Sequence, residues 1–255
     1  MLLVHGIGGG SSLFQYRKNS EALTRAGFEV YALDLIGFGR SSRPATRITQ
    51  NDHIAQLRSF IEETIGEPTI VIANGLSAAY SIRLAAESSE WIEALVLIGP
   101  TGYGRLDRPQ TGARVRAFNT LSGFLGNLLY GILIADNWQR FFLIDAYAGP
   151  ESLTPEVLEE FDTQIRVPNA KWIILSFVSG NLDQDVSEYW PEVEQPGLIV
   201  WGAQAETTPA SDAERFLEAR PDVPLTIIDG AKLLPNEDQP GAFNEAVVAF
   251  LKSLF

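Results

Sequence analysis

The residues best placed to do chemistry lie in the stretch 67–87. Its apolar segment Thr69 to Ile72 predicts a buried strand, and the segment Ala78 to Glu87 predicts a helix. The turn between them reads Ala-Asn-Gly-Leu-Ser. A sharp strand-to-helix turn presents a nucleophilic serine when serine is the central residue of Gly-x-Ser-x-Gly. The central residue here is Gly75, which has no side chain, whereas a register shifted by two residues would make Ser77 the nucleophile.

The elements that must position this turn alternate between strand and helix. Besides the strand at Thr69 to Ile72, strands are predicted at Met1 to Val4, Phe28 to Leu35 and Trp91 to Ile98. Helices are predicted at Ser20 to Gly27 and at Asn51 to Thr64, the second with an Asn51-Asp52 cap. This alternation predicts an α/β fold with a doubly wound, mostly parallel sheet. The uniformly apolar first strand is expected in the sheet interior, paired on its outer side by another part of the chain or by an upstream segment.

Residues 101–190 interrupt the alternation with a predominantly helical pattern, in which Thr154 and Pro155 suit the start of a helix. The alternation then returns with a strand at Gly197 to Trp201, a helix at Ser211 to Ala219, a strand at Pro224 to Ile228 and a helix at Gln239 to Phe255. We therefore predict a core formed by 1–100 and 191–255, with a helical cap inserted at 101–190.

Composition narrows the classes of function. A net charge of −13 argues against a nucleic-acid or anionic-membrane partner. The absence of cysteine excludes disulfides and thiolate sites. The apolar run Leu121 to Ala135 is shorter than the roughly 20 residues of a membrane span. We predict a soluble, cytoplasmic protein. No metal is expected, because the sequence shows no cluster of histidine, cysteine or carboxylate ligands. No cofactor is expected either, because the triple glycine 8–10 lacks both the Gly-Lys-Ser/Thr and the Gly-x-Gly-x-x-Gly phosphate signatures. The oligomeric state is left open.

Several segments in this order resemble the α/β-hydrolase fold family. They are the His-Gly loop at 4–9, the Asp-x-x-Gly-x-Gly-x-Ser segment at 34–41, the elbow strand and helix at 69–87, and the segments 198–209 and 231–240. The resemblance covers nearly the whole chain and implies this family's fold, with its first hairpin missing from the sequence. It also implies that segments 198–209 and 231–240 occupy the places of the acid and the histidine of a Ser-His-Asp triad.

Carried over residue by residue, the resemblance implies that the three triad positions hold Gly75, Ala205 and Leu233. A serine attacks, a histidine takes its proton and a carboxylate orients the histidine in acyl transfer, so none of these side chains could play its part. Glu206 is adjacent to the acid position and could be recruited. We name these residues the triad positions.

Other groups could substitute only under special conditions. His5 belongs to the His-Gly loop, where the resemblance implies a structural role, and His53 is expected on the surface near a helix start. Lys232 could act as a base only if burial lowered its pKa by several units. Ser77 remains a weak candidate nucleophile.

The resemblance further implies an oxyanion site made from the backbone at Gly6, Ile7 and Leu76, beneath a cap pocket lined by Phe124, Leu128 and Tyr130. Ordinary cap packing is the alternative for these apolar residues. The leading hypothesis is a pseudo-hydrolase that binds a small apolar or carbonyl-bearing ligand or serves as a partner module. The alternative is an enzyme, either esterase-like or a lyase or isomerase, that uses the oxyanion site and possibly Ser77. A third is a variant of an active hydrolase altered at the triad positions.

Overall fold

A parallel sheet forms the centre of the molecule, whose computed structural model describes residues 1–135 and 143–254. Within these ranges the sheet has the strand order β2-β1-β3-β4-β5-β6, and every neighbouring pair is parallel. The strands are β1 (Leu2–Val4), β2 (Tyr31–Leu33), β3 (Thr69–Asn74), β4 (Ile92–Ile98), β5 (Gly197–Gly202) and β6 (Leu225–Ile228). The predicted α/β class with a doubly wound parallel sheet is confirmed.

Helices cover both faces of this sheet. They are α1 (Ser20–Arg25), α2 (Gln50–Phe60), α3 (Leu76–Glu87), α4 (Gly112–Leu121), α5 (Phe124–Leu133), α6 (Pro155–Arg166), α7 (Ala170–Val178), α8 (Ala213–Ala219), α9 (Pro235–Asp238) and α10 (Pro240–Lys252). Successive strand residues point to opposite faces. Leu2 accordingly packs in the core cluster of α2, α3 and α8, whereas Leu3 packs in the cluster of α1 and α10. The last predicted residue of the final helix, Phe255, lies outside the described residues.

The first strand lies in the sheet interior, as predicted, with β2 on its outer side and β3 on its inner side. The prediction for Phe28 to Leu35 was partly wrong. Only Tyr31–Leu33 forms a strand, and its residues are half-buried, because β2 is an edge strand of the described sheet. An edge strand has a neighbouring strand on one side only, so its residues are less buried than those of the interior strands.

Helix α2 begins one residue before the predicted start, and the predicted Asn51-Asp52 cap was wrong, because both residues lie inside the helix. Its cap is Thr49, whose hydroxyl accepts from the Asp52 amide while the Asp52 carboxylate accepts from the Thr49 amide. This reciprocal arrangement satisfies two otherwise free donors. The helix continues as a π-helical turn over Ile61–Ile65 and ends at Gly66, in the left-handed conformation with φ 75°. Gly66 was correctly predicted as the stop.

The chain between β4 and β5 contains α4 to α7, whereas residues 101–111 and 179–189 of the same segment are not helical. Thr154 caps α6 as predicted: its hydroxyl accepts from the Val157 amide, and Pro155 is the first helical residue. Residues 136–142 of this segment lie outside the described ranges. No helix within those ranges is both long and apolar enough to cross a bilayer.

Candidate functional site

The turn between β3 and α3 has the geometry of a nucleophile elbow, with Gly75 at its tip. Strand β3 ends at Asn74, α3 begins at Leu76, and Gly75 between them has φ 56° and ψ −117°. A positive φ of this kind is strained for residues with a side chain and easy for glycine. A Cβ placed on Gly75 would meet no other atom within 4 Å. The position therefore has room for a side chain and holds none.

Ser77 lies inside the first turn of α3 and not at the tip of the elbow. Its side chain is fully buried, and its hydroxyl donates to the His5 carbonyl at 2.6 Å. The hydroxyl of Ser81, one turn later, donates to the Ser77 carbonyl at 2.9 Å. Ser77 thus ties the start of α3 to the loop after β1.

The segments that hold the other two triad positions approach each other and the elbow. The Gln204 amide donates to the Ala231 carbonyl at 2.9 Å, and a Cβ on Gly202 would lie 2.0 Å from the Lys232 carbonyl oxygen. Only glycine permits so close a backbone approach. The Asn74 side-chain amide donates to the Leu233 carbonyl at 3.2 Å. The backbone therefore brings all three triad positions to one edge of the sheet.

The charged neighbours of these positions bond to each other. The Lys232 ammonium lies 3.2 Å from a Glu206 carboxylate oxygen and donates to the Ile144 carbonyl at 3.0 Å. Glu206 is mostly exposed, and Ala205 beside it is buried. Lys232 is thus engaged as a cation, which does not favour the role of base considered for it.

His5 holds two loops together and has no free ring nitrogen. Its Nε2 accepts from the Leu35 amide at 3.0 Å, so the ring proton is on Nδ1, which lies 2.8 Å from the Gly6 carbonyl. Burial lowers the pKa of His5, and the Gly6 hydrogen bond and the nearby Asp34 charge oppose that shift less strongly. His5 is therefore neutral at ordinary pH, as suits a structural residue.

His53 is fully buried, so its expected surface position was wrong. Helix α2 directs it inward, where its ring lies 5.5 Å from that of Tyr80 and 6.2 Å from that of Phe38. Its Nε2 lies 2.9 Å from the Ile36 carbonyl. Burial lowers the pKa of His53 to about 4, a shift that the Ile36 hydrogen bond partly offsets.

The backbone amides of Ile7, in the loop after β1, and of Leu76, at the start of α3, have no partner within the described parts of the chain. Val4 pairs with Ala73 in the sheet, so the loops after β1 and β3 leave the same edge side by side. The Gly6 amide donates to the Gln15 side chain at 2.9 Å, and a Cβ on Gly6 would lie 2.9 Å from Asn74 Oδ1. The close fit of Gly6 fixes the loop that carries the Ile7 amide.

Asp34 is a site-forming residue to which the sequence reasoning gave no role. One carboxylate oxygen accepts from the Leu13 amide at 2.7 Å, and the other accepts from the Arg40 amide at 2.8 Å. A Cβ on Gly39 would lie 2.0 Å from the same carboxylate. The Asp-x-x-Gly-x-Gly spacing was the available signal, since it places an acid beside a loop whose glycine must pass close to it.

The predicted cap pocket was wrong for two of its three residues. Phe124 is 82% exposed and Leu128 is 57% exposed, so neither lines an enclosed pocket. Helix α5 packs through its opposite side instead, where Gly126 sits against the Leu121 carbonyl. Tyr130 is half-buried on the packed side, and its hydroxyl donates to the Ile165 carbonyl. Helical spacing identified an apolar helix and did not reveal which face would be covered.

A small cavity of about 10 Å³ lies between the loop after β1 and helices α6 and α7; we call it the glycine-loop cavity. Its wall includes the three consecutive glycines 8–10, with Ser11, Arg43 and Gln164 as polar side chains. Phe38, Ile165, Ile173 and Ile174 add apolar surface. Sequence reasoning did not single out Arg43 or Gln164, because 121 residues separate them and no motif contains either.

Comparisons with known proteins agree with this geometry. The sequence model of a family described as "Alpha/beta hydrolase family" matches residues 1–246. A 2-hydroxy-6-oxononadienedioate/2-hydroxy-6-oxononatrienedioate hydrolase from Pseudomonas sp is 24% identical over 98% of this chain and 87% of its own. A 2-(acetamidomethylene)succinate hydrolase from Mesorhizobium japonicum is also 24% identical, with the same two coverages.

Solved structures share the fold. A serine hydrolase involved in carbazole degradation superposes with a TM-score of 0.80 at 21% identity, over 98% of this chain and 90% of that one. A thermophilic esterase from Thermogutta terrifontis superposes with a TM-score of 0.77 at 17% identity, over 99% and 89%. At these identities the likeness establishes the fold alone.

Proposed function

The chain belongs to the α/β hydrolase family, and from that premise we propose that it binds a small carbonyl-bearing ligand at the amides of Ile7 and Leu76. The observation that carries the proposal is the elbow itself, where the strained turn persists around Gly75 and the Leu76 amide has no partner. Two converging backbone donors are the elements of an oxyanion hole, and they do not depend on side-chain identity. The ligand would lie in the open space above Gly75.

In this proposal the ligand is held without Ser-His-Asp chemistry. The triad positions hold glycine, alanine and leucine, and the chain has only two histidines. Both histidine rings bond to backbone groups, at Gly6 and Leu35 for His5 and at Ile36 for His53. The Ser77 hydroxyl donates to the His5 carbonyl and has no basic partner among the residues that the structure describes. These contacts support a pseudo-hydrolase.

The second candidate is an enzyme that uses the same two amides to stabilise negative charge developing on a bound carbonyl oxygen. Two relatives that span nearly the whole chain are named as hydrolases, which favours catalysis over binding alone. Such an enzyme would be esterase-like, with Ser77 as its nucleophile, or a lyase or isomerase that needs none. Both candidates use the same binding site. The first only binds its ligand, whereas the second converts it to a product.

A covalent probe and an esterase assay test the proposal. We expect no mass increase when the wild type is treated with a fluorophosphonate, and no hydrolysis of p-nitrophenyl butyrate above that of Ser77→Ala. The combined variant Gly75→Ser, Ala205→Asp and Leu233→His should gain both labelling and hydrolysis, because the backbone at each position is in place. Probe attached to Ser77 would establish the esterase candidate. Turnover of a keto-acid substrate by Ser77→Ala at the wild-type rate would establish the lyase or isomerase candidate.

A further inference from the structure

We propose that the glycine-loop cavity is a subsite for the anionic end of the ligand, with Arg43 as the residue that recognises a carboxylate. This inference rests on the proposed function, because the cavity begins at Gly8, one residue beyond the Ile7 amide. A single ligand could therefore place a carbonyl group at the elbow and a carboxylate at Arg43. The substrate class is then a small keto acid with an apolar body.

The cavity wall contains a cation and no acid. Arg43 is the one charged residue that lines it, in a chain whose net charge is −13. The open cleft beside Tyr189 provides a contrast, since its wall combines two arginines with three acidic residues: Arg83, Arg108, Asp183, Asp185 and Glu188. An arginine in an acid-free cavity favours an anionic ligand.

Arg43 has unused hydrogen-bonding capacity. One of its terminal nitrogens donates to Gln164 Oε1 at 2.6 Å, and this amide is neutral. Its Nε is buried and has no partner within the described residues. A buried donor without an acceptor is unfavourable, and a carboxylate would satisfy it through a charge-assisted bond. Burial also lowers the pKa of Arg43, with the Asp34 charge opposing that shift.

The glycine loop adds further donors. The amides of Gly8, Gly9 and Gly10 have no backbone partner within the described residues. Consecutive free amides form concave anion-binding surfaces in other proteins. The last residue of this loop, Gly10, cannot readily be replaced. It has φ 76°, and a Cβ there would lie 2.4 Å from the Phe161 ring.

Ligand entry requires a small rearrangement, since about 10 Å³ accommodates roughly one water molecule. Gln164 is the group to be displaced. Its amide nitrogen donates to Glu160 Oε1 at 2.9 Å, and the same oxygen accepts from the Ser12 hydroxyl at 2.8 Å. A carboxylate that replaces Gln164 at Arg43 would therefore exchange a neutral hydrogen bond for an ion pair.

The test compares 6-oxoheptanoate with its methyl ester by isothermal titration calorimetry. The two compounds share the ketone and differ in the negative charge. We expect Arg43→Gln to weaken binding of the acid by about tenfold or more, the loss typical of a hydrogen bond to a charged group, and to change ester binding by less than about twofold. Arg43→Lys should recover part of the acid affinity, because it retains the charge without the planar fork.

Arg47→Gln is the matched control. Arg47 lies in the same loop, is half-buried and also bonds to a neutral amide, that of Asn181, but it does not line the cavity. Its replacement should leave both affinities unchanged. Equal affinity of Arg43→Gln and the wild type for the acid, with the ester still bound, would overturn the Arg43 subsite and leave the carbonyl site standing. A wild type that binds neither compound would overturn both. Circular dichroism melting confirms that each variant is folded.

Discussion

Two clusters at the same edge of the sheet differ in what their side chains do. The first contains the triad positions, where backbone segments pack closely against each other and the residues have no side chain or an apolar one. The second, which we call the loop-holding cluster, consists of His5, Asp34, Gln56 and Ser77, whose polar atoms bond to backbone groups. The polar side chains of the loop-holding cluster thus support the loops at this end of the strands.

The two clusters serve different requirements: one set of side chains supports the loops, and the other set holds the positions where catalytic groups would stand. A loop at the end of a strand has backbone groups that need partners, and leaving them buried and unpaired is unfavourable whatever the protein does. A catalytic side chain has no such structural necessity. The loop-holding cluster should therefore carry stability, and the triad positions should carry little of it. The predictions below test this division.

Asp34→Ala should have the largest effect. It removes both acceptors of the Leu13 and Arg40 amides, and each hydrogen bond to a charged group contributes about 1.5–3 kcal/mol. We expect the free energy of unfolding, measured in urea, to fall by about 3–5 kcal/mol. Asp229→Ala, at an exposed acid, should change it by less than about 0.5 kcal/mol. A loss below about 1 kcal/mol in Asp34→Ala would show that the cluster is not a stability determinant.

The next prediction concerns pH. The pKa of His53 is lowered from 6.5 to about 4 in the folded protein, so the unfolded chain binds a proton there first as the pH falls. Its contribution to stability is therefore complete above about pH 6.5 and is lost progressively toward pH 4, by about 3 kcal/mol in all. The pKa of His5 is lowered as well, and its contribution is lost in the same direction.

Urea unfolding of the wild type and His53→Gln at several pH values isolates this contribution, because all other titrating groups are common to both. We expect the variant to be less stable at pH 7 and to lose less stability between pH 6.5 and 4. Parallel pH profiles for the two proteins would show that His53 does not titrate in this window.

Local rules predicted most of the fold. Apolar runs located β1, β3, β4 and β5 closely, and glycine and threonine signals correctly placed Gly66 and Thr154. The position of Gly75 at the tip of the elbow followed from the sequence, because the strand and helix patterns on either side of it match the elbow segment of the family without a gap. Each of these features depends on residues close together in the chain, where spacing carries the information.

Features that depend on distant contacts were predicted less well. His53 was expected at the surface because its inward direction depends on Tyr80 and Phe38, which other segments supply. Phe124 and Leu128 were expected to line a pocket, but α5 packs through the opposite side, where Gly126 faces Leu121 and Leu175. The pairing of Arg43 with Gln164 has no sequence signature. The sequence therefore did not show which side of a helix would be buried or which residues would line a cavity.

The smallest effect is expected at the elbow tip. Gly75→Ala adds a Cβ that meets no atom within 4 Å, so the only penalty is the positive φ of 56°. Strain of this kind amounts to about 1–2 kcal/mol, and we expect unfolding in urea to show a loss of that size. Binding of the methyl ester of 6-oxoheptanoate should persist, because the Leu76 amide is unchanged.

Gly241→Ala is the matched control for this loss, since its Cβ would also meet open space but its backbone lies in α10 without a positive φ. Alanine is favoured over glycine in the middle of a helix by about 0.5–1 kcal/mol. Gly241 is the second residue of α10, so the control should gain at most that amount where Gly75→Ala loses stability. Opposite signs at two equally uncrowded glycines would attribute the elbow penalty to backbone conformation alone. A gain of stability in Gly75→Ala as well would mean that Gly75 does not have a positive φ, and the elbow geometry on which the carbonyl site depends would then be wrong.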